Sequence, residues 1–80
     1  MNTVRFLRPL DVAKAFGISK SQYYLQRADG LLPSPIPLGK RAQVHPEPEI
    51  AQVQAAIVRG ADDAQLRVLC RELEAARAAA

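Results

Sequence analysis

Two short helical patterns separated by Gly17-Ile18-Ser19 constrain this chain more than anything else in it. In Pro9-Leu10-Asp11-Val12-Ala13-Lys14-Ala15-Phe16 the proline suits a first helical position, where its missing N–H would have no partner, and Asp11 complements the positive end of the helix dipole. Gly17 can take the left-handed conformation that ends a helix, so the first helix is short, about two turns. A second helix starts at once. The Ser19 hydroxyl can accept the backbone N–H of Gln22, the Gln22 side chain can return the bond, and Ile18 with Tyr23 can staple the junction. This helix is expected over Lys20–Ala28, stopped by Asp29-Gly30. A short Gly-containing turn between two helices sets them at a steep angle, which is the helix-turn-helix arrangement.

Beyond Gly30 the chain cannot continue as a helix. Leu31-Leu32-Pro33-Ser34-Pro35-Ile36-Pro37-Leu38 carries three prolines that bias the backbone toward extended conformations. Gly39-Lys40 suits a tight turn and Arg41-Ala42-Gln43-Val44 a short returning strand, giving a hairpin with a cationic tip, a wing. A third helix should begin near Pro46, because Pro46 and Pro48 both fall in a first turn, where neither removes a helix hydrogen bond. Glu47 and Glu49 suit its dipole, Ile50, Val53 and Ile57 repeat as one apolar face, and Arg59-Gly60 closes it. Asp62 with Gln65 signals the cap of a fourth helix, whose apolar stripe would be Leu66, Leu69, Cys70, Leu73 and Ala76, fraying into the terminal alanines. The expected class is therefore mostly α: a winged helix-turn-helix in residues 1–60, with a short β-hairpin wing, and an additional C-terminal helix in residues 61–80.

Eighty residues allow one small core, and a single cysteine, Cys70, excludes an internal disulfide or a Cys-rich zinc site, so packing must hold the fold. No apolar run approaches a membrane span and Met1–Phe6 does not read as a secretory signal, so a soluble, cytoplasmic protein with no membrane partner is expected. The charge is uneven. Residues 1–44 hold seven basic side chains against two acidic ones, a net of +5, whereas residues 45–80 hold four against six, a net of −2. A polyanion would meet the first half.

Several stretches together resemble the AlpA-type phage regulators: Phe6-Leu7-Arg8 before the first helix, Gly17 to Tyr24 across the turn, Gly30 to Pro35 into the wing, Leu38-Gly39-Lys40-Arg41 at its tip and Glu49-Ile50 in the third helix. That group is similar in fold to MerR-type DNA-binding domains and small phage excisionases. The resemblance covers roughly residues 5–58 and implies that the second helix enters the major groove while the wing touches the adjacent minor groove or backbone. It also implies an output in transcriptional regulation or in the excision of mobile elements. Family members often carry an aromatic residue where Val44 or His45 stands and a basic one where Leu25 stands, and the fourth helix exceeds the family module.

Side chains at the start of a recognition helix point into the groove, which makes Lys20, Ser21, Gln22 and Tyr24 the candidate base or phosphate contacts. Arg27, one turn on, is a candidate backbone contact, and Lys40 and Arg41 are those of the wing. Gln22 has two competing jobs, capping and base contact, whereas Tyr23 reads as core. His45 has no second His or Cys nearby, which argues for a place at the wing base rather than in a metal site, and Cys70 sits on an apolar stripe. No nucleophile–base pair, phosphate loop or paired carboxylates with a pocket stands out, so no enzymatic activity, cofactor, metal or small-molecule substrate is expected. The partner expected is double-stranded DNA; the alternative is a protein-interaction module that keeps the winged-helix fold. The fourth helix has two readings, covering its own domain or joining copies into a homo-oligomer or cooperative neighbours on DNA.

Overall fold

The structure, a computed structural model, describes residues 3–78. Strand β1 (Phe6–Leu7) leads into helix α1 (Pro9–Phe16), then α2 (Lys20–Ala28), β2 (Ile36–Leu38), β3 (Ala42–Pro46), α3 (Glu47–Val58) and α4 (Asp63–Arg77). The last two residues of the expected 61–80 segment, and with them part of the alanines expected to fray, lie outside the described residues. The architecture is a mostly helical winged helix-turn-helix with a small antiparallel sheet.

The local punctuation works as its chemistry requires. Gly17 takes φ 67° and Ile18 N–H donates to the Ala13 carbonyl, the six-to-one bond that closes a helix C-terminus through a left-handed residue. Ser19 and Gln22 form the reciprocal capping box of α2, with Gln22 N–H to Ser19 Oγ at 3.1 Å and Ser19 N–H to Gln22 Oε1 at 3.0 Å. Asp62 and Gln65 do the same for α4, at 2.8 and 2.9 Å.

The sheet has three strands, ordered β1-β3-β2, rather than the two of a plain hairpin. Phe6 pairs with Pro46 and Leu7 with His45, while Glu47 N–H donates to the Arg5 carbonyl at 2.8 Å, so β1 anchors the junction of β3 and α3. Between β2 and β3 the register runs from Ile36–Val44 to Leu38–Ala42. Two expectations need correction here. Arg41 belongs to the turn and not to the returning strand, and Pro46 is the last strand residue and cap of α3, with Pro48 alone inside the first helical turn.

One core lies between the helices: Val12 and Ala13 of α1, Tyr23 of α2, Leu32 of the connector, Ile50, Val53 and Ala56 of α3, and Leu66, Cys70 and Leu73 of α4. Ile57, expected on the buried face of α3, is 45% exposed, and Ala56 takes its place. The core side of α3 follows a three-residue step, from Ile50 through Val53 to Ala56, because β3 and α4 both pack against that side. On α4 the inward row is Leu66, Cys70, Leu73 and Arg77; Ala76 is exposed and Leu69 half-buried. The fourth helix therefore packs on its own chain. The Cys70 thiol is buried and its pKa is pushed up to about 11 by that burial, in keeping with a packing residue rather than a nucleophile.

Candidate nucleic-acid interface

Helix α2 divides cleanly into two faces. Tyr23 points inward and is fully buried, whereas Lys20, Ser21, Tyr24 and Leu25 are exposed and Arg27 is half-buried. Lys20, Tyr24 and Arg27 stand four and three residues apart, so they share one outward stripe. Gln22 is exposed too, but its side-chain carbonyl is taken up by the Ser19 cap, which leaves only its amide N–H groups free of that bond.

Across from α2 runs β3, and the two meet at a matched pair of contacts. The Tyr23 hydroxyl and His45 Nε2 lie 2.6 Å apart in the interior, and Arg27 reaches the Gln43 side-chain oxygen at 3.4 Å on the surface. The spacing explains why both form. Four residues along a helix advance about 6 Å and two along a strand about 6.7 Å, so Tyr23 and Arg27 on α2 come level with His45 and Gln43 on the same side of β3. Tyr24 adds to the junction, with its ring edge-on to Tyr23 at 5.0 Å and the Arg27 guanidinium 5.6 Å from its centroid.

Burial, with the positive charges of Arg27 and Arg77 adding to it, pushes the His45 pKa down to about 4, so the ring is neutral at pH 7. Burial raises the Tyr23 phenol, which therefore keeps its proton. The pair is thus an uncharged bond inside the fold, in line with a wing-base role for His45. His45 Nδ1 meets no hydrogen-bond partner among the described residues. No group of three or more His, Cys, Asp or Glu side chains among the described residues could hold a metal.

The wing tip carries the remaining candidates. Gly39 takes φ 74° at the turn, and Lys40 and Arg41 follow it, both exposed. The seven candidate residues accordingly fall into three sets: Lys20, Ser21 and Gln22 at the start of α2, Tyr24 and Arg27 at the junction with the wing, and Lys40 and Arg41 at its tip. Gln43 belongs with the second set, although its residue type and position alone do not single it out. Its signal is the strand alternation that puts it on the side opposite Val44, and that signal is weak over a strand of five residues. No helix of the described residues is long and apolar enough to cross a membrane.

Residues 5–57 match the family described as prophage CP4-57 regulatory protein (AlpA). No curated protein and no solved structure matches the chain. The matched segment runs from the residue before β1 to the last turn of α3, and it contains the turn, α2 and the whole wing while leaving out α4. Covering well over half of the sequence, that match settles the family: the chain belongs to the AlpA family of prophage regulatory proteins.

Proposed function

We propose that this protein is a regulator that binds double-stranded DNA with sequence preference, reading base edges from the start of α2 and holding the backbone with Arg27 and the wing. The observation that carries the reading is the junction between α2 and β3. Tyr23–His45 inside and Arg27–Gln43 outside tie the helix to the wing, and these two elements carry exposed Lys20, Tyr24, Lys40 and Arg41 together with half-buried Arg27, which supports a joint binding role. Two elements held at a set distance can engage a groove and its neighbouring phosphates together, which independent elements could do only with a further loss of conformational entropy.

The roles come from donor and acceptor chemistry. Ser21 and Lys20 reach base edges or phosphates, the Tyr24 hydroxyl suits a phosphate oxygen, and the amide of Gln22 can still donate while its carbonyl serves the cap. Arg27, already over the Tyr24 ring, serves as a backbone contact, and Lys40 and Arg41 clamp phosphates or enter the minor groove. The protein acts by binding, without catalysis or cofactor. One recognition helix reads only a few base pairs, so neighbouring copies on repeated half-sites supply the rest of the specificity.

Selection of duplexes from a random library by the full chain tests this. The expected result is an enriched site bound about a thousandfold or more tighter than random duplex. Enrichment of nothing above background would overturn it. The location of the site then separates two outputs of the same surface: a site before the protein's own reading frame marks a transcriptional regulator, and one at the end of a mobile element marks an excision factor.

A further inference from the structure

Helix α4 lies outside the family-matched residues and yet grips the segment that joins the recognition helix to the wing. At the near end of that segment, Arg67 Nε donates to the carbonyl of Asp29, the C-cap of α2, at 2.8 Å. The Arg67 stem also runs beside Gly30, whose φ is 78°. At the far end, Arg77 donates to the Ser34 carbonyl at 2.7 Å and Glu74 accepts the Ser34 N–H at 3.3 Å. Between these ends Leu32 and Pro33 are buried, Leu32 in the same cluster as Leu66, Cys70 and Leu73. Arg77 is itself held by Glu49 at the start of α3, through bonds of 2.8 and 2.5 Å.

The connector has few bonds of its own to set its path. Prolines at 33, 35 and 37 remove backbone donors, so its backbone groups depend on other elements for partners. A chain ending near residue 58 would leave the Asp29 carbonyl and both backbone polar groups of Ser34 without these side-chain partners.

We infer that α4 is a strut that fixes the position of the wing relative to α2, with Arg67, Glu74 and Arg77 as positioning residues for DNA binding. This inference rests on the DNA-binding reading above. Its consequence is energetic coupling: the wing contributes its phosphate contacts only while the strut holds the connector.

The test uses the full chain and a labelled duplex enriched by the wild-type protein from a random library. In the wild type, Lys40→Ala with Arg41→Ala should flatten the log affinity against log salt slope by about two. In a strut variant, Arg67→Met with Glu74→Ala, the same pair of changes should flatten it by less than about one, because the wing has already lost its register. Both strut substitutions lie near the surface, and circular dichroism at the assay temperature checks that the fold persists. Glu49→Gln with Arg77→Gln gives a second strut variant that leaves no lone charge in the interior. Leu69→Ala, a half-buried change beside Ala56 and Ala61 that removes none of the hydrogen bonds to Asp29 or Ser34, is the stability control, and it should keep the full flattening. Equal flattening in the wild type, both strut variants and the control would overturn the strut while leaving DNA binding intact. Failure of the wild-type chain to enrich any duplex would instead overturn the DNA-binding reading itself.

Discussion

The two halves of this small protein differ in where they bury charge. Around α2 and the wing the cations are exposed or loosely engaged: the Arg27–Gln43 contact is long and at the surface, and Lys20, Lys40 and Arg41 are all open to solvent. Around α3 and α4 most charges are exposed too, Arg59, Asp63, Arg71 and Glu72 among them, but one pair is drawn inward. The Arg77–Glu49 bridge is bidentate, with the two side chains only 25% and 10% exposed. An ion pair of the second kind holds a structure together, because removing one partner strands the other away from water. Cations of the first kind contribute little to stability and stay available for an external anion. The basic half thus leaves its cations open to an external anion, as the proposed function requires, and the acidic half holds one ion pair that supports the fold.

The sharpest way to break this contrast is to remove the support. A chain ending at Gly60 loses Leu66, Cys70 and Leu73 from the core, at about 1.5 to 3 kcal/mol for each large apolar side chain, in a domain whose whole stability is about 4 to 12 kcal/mol. It should be largely unfolded at 25 °C by circular dichroism. A truncated chain that melts as high as the full one would show α4 to be dispensable and turn attention to its outer face as an oligomer contact.

Next in size is Arg77→Ala, which leaves the Glu49 carboxylate in the interior without its partner. A loss of about 3 kcal/mol in urea denaturation is expected, and Glu49→Gln in the same chain should recover part of it. By contrast, Arg5→Ala removes only an exposed 3.6 Å pair with Glu47 and should be nearly silent.

Acid should act at the junction between the halves. In the unfolded chain His45 takes up a proton near pH 6.5, but in the folded chain only near 4. Between those values the unfolded state holds more protons, so stability falls as the pH is lowered. The contribution is complete above 6.5 and gone below 4, a swing of about 3 kcal/mol. His45→Gln should be less stable at pH 7 and should lose this part of the pH dependence. An identical pH profile in both proteins would remove the buried Tyr23–His45 bond from the account.

Smallest, and confined to the binding half, is the effect of Ser21→Ala. It is expected to weaken the enriched duplex by about 1 to 3 kcal/mol for a lost base contact, with little change on random duplex or in melting temperature. Equal losses on both duplexes would move Ser21 from base reading to backbone contact.

How much of the molecule is legible in the sequence depends on the span of each interaction. The capping boxes of Ser19–Gln22 and Asp62–Gln65 and the Gly17 helix end involve partners a few residues apart, so residue type and spacing suffice to find them. The wing is legible in its prolines and its Gly39 turn, although Arg41 lies in the turn, one step short of the strand expected to hold it. What stays hidden depends on distant partners. The Tyr23–His45 bond spans 22 residues and the Arg77–Glu49 bridge 28, and β1 is two residues long and formed by pairing with β3. The exchange of Ile57 for Ala56 has the same origin, since both repeats are helical and only the position of α4 and β3 decides which side is inner. Of the candidate site, residue identities are readable; the matching of Gln43 and His45 to one turn of α2 is not.

Exposed cations of α2 and the wing that serve a polyanion must show themselves in the dependence of affinity on salt. Binding of the full chain to the enriched and the random duplex should weaken linearly in log–log form as salt rises, with a slope of about −0.9 for each phosphate neutralised. With Arg27, Lys40 and Arg41 as backbone contacts, a slope of about −3 or steeper is expected on the enriched duplex, and the enriched duplex should bind more tightly at every salt concentration. A slope near zero would mean that these cations meet no phosphate, and the same affinity for both duplexes would mean that α2 reads no sequence.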